Sequence, residues 1–326
     1  MNDPVNTLKE RLQALKDEPS DLPQSIYEYI CERLTDGQLP EGFGLPPAYT
    51  GEKGIMFAPG AMDGIMMYSF GVQPKKEADA LYNAIVGESG DKVKAVETAL
   101  GEDSALTSCD ALLERLSKEK PLPPEDIYAL ALSLAKRSHK KEAVKIGILL
   151  LELLYNEGNE QVLSLLQELG ACDEFTLWCC YVLRHLNNGN EEIFRLAKKV
   201  NGWGKVFIVN DLLEADNAEK RDWLLRQGCE NSVMDNYNAM AVYSKCGLEN
   251  VLSERSPESF DEGEVTGLSH VALGLCDEEP FPGAGALDDP EGVLRSLRQI
   301  FSLHPSHSLA KEATEAIDNY KYDEPE

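Results

Sequence analysis

The stretch GNEQVLSLLQELG at 158–170 decides the architecture, because it returns as GNEEIFRLAKKVN at 189–201, an offset of 31 residues (189 minus 158). In the first copy Val162, Leu165, Leu166 and Leu169 fall at i, i+3, i+4 and i+7; in the second, Ile193, Leu196, Ala197 and Val200 fall at the same places. Each copy therefore lays one apolar stripe along one face of a helix. Each is followed by a second helical pattern, Phe175, Trp178, Cys179, Val182 and Leu186 after the first, and Val206, Val209 and Leu213 after the second. A helix pair recurring at this spacing predicts an all-α solenoid, in which no pair buries its own apolar face and each stacks on its neighbours.

Working outward, the helical period extends in both directions. Toward the N-terminus, Ile127, Leu130, Ala131 and Leu134 form one stripe, and Val144 to Tyr155 is apolar nearly all round, which predicts burial on several sides. Further back, Leu81, Tyr82 and Ile85, then Val93, Val96 and Leu100, then Leu106, Leu112, Leu113 and Leu116 continue the period. Two helices open the chain, one capped by Asp3 before Pro4 and one announced by Asp21 and Pro23, with Ile26, Tyr27, Ile30, Cys31 and Leu34 on the second. Toward the C-terminus a worn pair, 217–228 and 232–247, keeps Trp223 and Leu224 but puts Lys220 where a stripe residue belongs. Helices through Val265, Leu268, Val271 and Leu275, through Val293, Leu294, Leu297 and Phe301, and from Ser306 onward finish the chain before the acidic tail DNYKYDEPE.

Between Gly37 and Pro74 the period lapses into a stretch rich in glycine and proline, with the apolar runs IMF at 55–57 and IMMYSF at 65–70 separated by APGAMDG. Two such runs around a turn predict a β-hairpin or an irregular insertion packed on the helices. The expected organisation is thus an N-terminal helical cap over 1–36, an insertion over 37–74, helical repeats over 75–247 and acidic helices with a tail over 248–326.

The repeated helix pairs resemble the armadillo and HEAT class of helical-repeat proteins, well over 123–247 and loosely outside it. Neither GNEQVLSLLQELG nor GNEEIFRLAKKVN carries the proline common in the first helix of HEAT units, so the resemblance is to the class. It implies paired helices stacked in a right-handed superhelix, a concave binding surface, and binding instead of chemistry.

Charge narrows the choice of partner. The chain has 31 basic and 57 acidic residues, a net charge of -26. From Glu249 to Glu326, 18 acids face 5 bases, so that segment alone holds -13. Such a field repels nucleic acid and anionic membrane surfaces and steers a basic protein toward the C-terminal third; plain solubility is the ordinary alternative. The 8 cysteines sit mostly at apolar helix positions with no CxxC, and no secretory leader opens the chain, so a cytoplasmic protein with reduced thiols is expected. The longest apolar run, 146–155, is interrupted by Glu152 and is too short to span a bilayer.

No catalytic, cofactor or metal motif stands out. Residues 51–71 lack the GxxxxGK[ST] spacing that cradles phosphates, and neither GxSxG nor a cysteine beside an activating histidine occurs. His304 and His307 supply two ligands where a metal needs three or four, and His270 lies six residues before Cys276; ordinary capping or surface roles explain all three. For partner contact the candidates are Trp203 and Lys205 in the GWGK turn, Asp63 and Tyr68 (with Lys53) in the insertion, and Asp277, Glu278, Glu279, Asp288 and Asp289 in the acidic loops. The competing expectation for Trp203 is that it closes the gap between repeats. The function expected is a non-catalytic interaction module for a basic protein, and the alternative is a small-ligand pocket between the insertion and the helices.

Overall fold

Both copies of the repeat fold as helices, α8 (Glu160–Leu169) and α10 (Gly189–Ala197), and all eight stripe residues are buried. Their followers are α9 (Asp173–Leu183) and α11 (Trp203–Phe207), the second running on through a π-helical turn, Ile208–Leu212. The computed structural model describes residues 24–46, 49, 57–75, 78–101, 103–278 and 281–321. The helix expected from Asp3 and the strand residues Ile55 and Met56 lie outside them, as do Lys53 and Glu279. Among the described residues the chain is all helical, its extended pairing limited to a single bridge between Thr35 and Gln38. The chain divides into two compact units, 1–200 and 201–326.

The first unit also holds α1 (Ile26–Cys31), α2 (Ala61–Ile65), α3 (Asp79–Val86), α4 (Lys92–Leu100), α5 (Ala105–Glu119), α6 (Pro124–Arg137) and α7 (Lys141–Leu150). Helix α7 is its centre, packed on α4, α5, α6 and α9, and every residue of it except Glu142 is buried. That matches its all-round apolar sequence. Successive helices α6 to α10 mostly touch both neighbours in the chain, α8 resting on α9 and α9 on α10. Helix α1 starts at Ser25, whose side chain forms a reciprocal capping box with Glu28, so the cap is not Asp21.

The hairpin expectation is overturned. The run at 65–70 is helical: α2 begins after Gly60, in the left-handed conformation at φ 78°, and continues through the π-helical turn Met66–Phe70. A short apolar run has the same period signature in a strand and in a half-buried helix, and here Gly60 and the burial of Asp63 select the helix.

The second unit contains α12 (Ala218–Trp223) with a π-helical turn Leu224–Gly228, α13 (Asn236–Cys246), α14 (Leu248–Glu254), α15 (Glu262–Cys276), α16 (Pro290–Ser302) and α17 (Ser308–Asn319). Helix α15 is central and packs on α13, α16, α17 and the turn after α12. Asp261 caps it in a capping box with Glu264, while Arg226 and Arg255 bind those two carboxylates. Asp289 caps α16 ahead of Pro290, and His307, one residue past the Ser306 at which the sequence starts the last helix, caps α17. Lys220, which interrupts the stripe of α12, is fully buried against Asp216 at 2.9 Å.

Candidate functional sites

The insertion meets the helices through charge. Asp63 sits in the first turn of α2 and is buried, with its Oδ2 2.9 Å from the Nζ of Lys145 and accepting a 2.9 Å hydrogen bond from the indole Nε1–H of Trp178. Lys145 is fully buried in α7 and is also 2.9 Å from Glu142 and 2.7 Å from Glu174. Each glutamate has a further donor: Ala105 N–H donates to Glu142 at 2.7 Å and Gly60 N–H to Glu174 at 2.9 Å. Lys141 stands 3.5 Å from Glu174, so three carboxylates share two ammonium groups.

An ammonium with no countercharge could not remain ionised at such a depth. Burial alone would lower the Lys145 amine, but the charges of Asp63, Glu142 and Glu174 hold it well above its ordinary value. Burial raises the Asp63 carboxyl above the usual range in spite of Lys145, with Glu174 adding to the rise. Burial pushes Glu174 the same way, but Lys145, Lys141 and the Gly60 amide outweigh it and hold it low. The Lys145 ammonium fills the point on which the carboxylates converge. The network fastens Gly60 and Asp63 to α7 and α9.

The second unit brings together a different set. Asn231 folds the loop ahead of α13, accepting from the Val233 and Met234 amides and donating to the Cys229 and Met234 carbonyls. That loop delivers Asp235 to α15 where Gly274 permits close approach: a Cβ on Gly274 would stand 2.8 Å from the Asp235 carbonyl oxygen. His270, one turn earlier on the same face, meets the Asp235 carboxylate at 2.7 Å through Nδ1. Burial lowers the His270 pKa, but Asp235 and then Glu230 outweigh it, so the imidazole is held above its ordinary value. Beside the pair lies a cleft of about 520 Å³, lined by Asp235, Asn236, Leu273, Asp277 and Tyr320 among others.

The residues singled out in the sequence therefore scatter. Trp203 is buried, its ring 4.9 Å from Tyr237 and 6.1 Å from Phe207. Lys205 is buried too, its Nζ 5.7 Å from the Trp223 ring centroid. Asp63 belongs to the buried network, and Tyr68 is half-buried on the π-helical turn after α2. Asp277 accepts from the Asn236 amide at 3.2 Å, and Glu278 accepts from Tyr320 at 2.7 Å. Asp288 is exposed, and Asp289 spends its carboxylate on the Gly292 amide. His307 accepts from the Ala310 amide and contacts Thr266 at 3.0 Å. Among the described residues no group of three or more His, Cys, Asp or Glu is arranged to hold a metal. The sequence reading missed Lys145 and the His270–Asp235 pair; a single lysine within the otherwise apolar run 143–151 was the available signal for the first.

The chain matches no family, no curated protein and no solved structure. Among the described residues no helix is long and apolar enough to cross a membrane.

Proposed function

We propose that this chain is a non-catalytic interaction module on an armadillo- or HEAT-like scaffold, acting in the cytoplasm on a basic protein partner. The observation that carries the reading is the surface of the 57–70 segment. Phe57 is 41 % and Phe70 is 80 % exposed, and Met62, Ile65, Met66 and Met67 between them are half-buried. An apolar, methionine-rich strip kept at the surface is costly for a monomer and suits docking of another protein. Its backbone is held by the Asp63 network, so little order has to be gained on binding. The -13 of the last 78 residues supports a basic partner, and eight unpaired cysteines support a reducing compartment.

The test compares the native chain with a Phe57→Ser, Phe70→Ser variant in capture from the source cell extract. We expect one basic protein to be retained by the native chain, to be lost from the variant at unchanged melting temperature, and to be released as salt is raised. Equal retention by both chains would remove the strip from the interface.

A further inference from the structure

The cleft in the second unit is built where two helices end together. Helix α15 stops at Cys276 with Asp277 as its C-cap, and α17 stops at Asn319 with Tyr320 as its C-cap; all of these residues line the cleft. A helix C-terminus carries about half a negative charge, and its last carbonyls have no donor inside the helix. A basic side chain in the last turn ordinarily offsets that charge, yet neither helix has one there.

The side chains add to the field instead of cancelling it. Asp277 puts a carboxylate on the negative end of α15, where it accepts from the Asn236 amide at 3.2 Å, and among the described residues no ion pair reaches it. Asp235 lines the cleft too, but shares its charge with His270 at 2.7 Å. Among the described residues no lysine, arginine or histidine lines the cleft, and Lys321, next after Tyr320, is exposed. Met234, Leu273 and Ala316 make an apolar wall.

We propose that this cleft binds a small linear diamine, one ammonium held at Asp277 and the two helix ends and the methylene chain lying along the apolar wall. An anion would meet negative charge on every side. A metal ion needs several converging ligands, and among the described residues no group of three or more His, Cys, Asp or Glu is arranged to supply them. The carboxylate and the helix carbonyls are acceptors, so the ligand has to donate, which a primary ammonium does and a quaternary one cannot. The cleft's volume of about 520 Å³ and its apolar wall call for an organic stem, and Tyr320 adds an aromatic ring, which attracts cations. The -13 of residues 249–326 favours a dication over a monocation. This site is in the second unit and is independent of the partner-binding strip.

The test titrates the full chain with cadaverine in a calorimeter at neutral pH and about 0.15 M sodium chloride, where loose attraction to a surface of net charge -26 is largely screened. One saturable site per chain is expected, and none for the diol analogue, which keeps the chain and loses the charge. Asp277→Asn retains an oxygen for the Asn236 amide and should weaken binding about tenfold. Asp288→Asn removes the same charge from an exposed position outside the cleft and should leave binding within about twofold of native. Ala316→Trp fills the cleft without changing charge and should abolish binding; if that variant does not fold, the two aspartate variants decide alone. Heat that never saturates, or equal weakening by Asp277→Asn and Asp288→Asn, overturns the proposal and leaves only surface attraction. Nα-acetyl-lysine amide, with the same ammonium on a protein-like stem, should bind more weakly; tighter binding overturns the diamine and assigns the cleft to a lysine of a protein.

Discussion

At Lys145 three carboxylate oxygens lie within 2.9 Å of one nitrogen in a fully buried setting, so the residue acts as a permanent internal cation. Removing one member of a buried charged set leaves the others without compensation, a loss of about 3–5 kcal/mol. Lys145→Met should therefore destabilise the first unit by about that amount in urea titration at neutral pH. The sign of its pH dependence follows from the same charges. Without Lys145 the folded state raises the pKa values of the buried Asp63 and Glu174 above their unfolded values, so it binds more protons than the unfolded state, and the variant gains stability as pH falls toward their ordinary range. The deficit against the native chain should narrow between about pH 7 and pH 5. A deficit that stays constant over that range would mean the carboxylates find other partners.

Among the helices, α15 shows how glycine positions set packing. A Cβ built on Gly267 would stand 1.9 Å from the Leu225 carbonyl oxygen, and one on Gly274 would meet Ala239 at 2.7 Å. Backbone cannot yield as a flexible side chain does, so α15 would have to move away from the turn after α12. Gly267→Ala should cost about 1–3 kcal/mol, the usual range for overpacking, although alanine is the better helix former. Gly90→Ala, with nothing within 4 Å of its would-be Cβ, is the matched control and should leave the melting temperature unchanged. Equal melting temperatures for all three chains would show that α15 slides freely.

Over the whole molecule the dominant quantity is the charge of -26. Self-repulsion on this scale opposes compaction, and added salt screens it: the Debye length shrinks from about 30 Å at 0.01 M to about 10 Å at 0.1 M. Adding sodium chloride over that interval at neutral pH should raise the melting temperature, and scanning calorimetry would measure the rise. A fall would mean that ion pairs such as Arg226–Asp261 and Arg255–Glu264 contribute more to stability than the repulsion removes.

The sequence by itself determined that the chain is helical and where most of its helices run. Periodicity is a local property, and Val162, Leu165, Leu166 and Leu169 reveal their helix within eight residues, as their second copy does. It also indicated the burial of α7, because an all-round apolar surface has no other stable place. The tertiary structure alone decided what the polar residues do. Asp63 meets Trp178 across 115 positions and Asp235 meets His270 across 35, and no spacing rule connects residues so far apart in the chain. The helix at 61–70 was hidden for the same reason: the ion network that holds its first turn is assembled from α7 and α9, so a local apolar run could not distinguish helix from strand until those partners were in place.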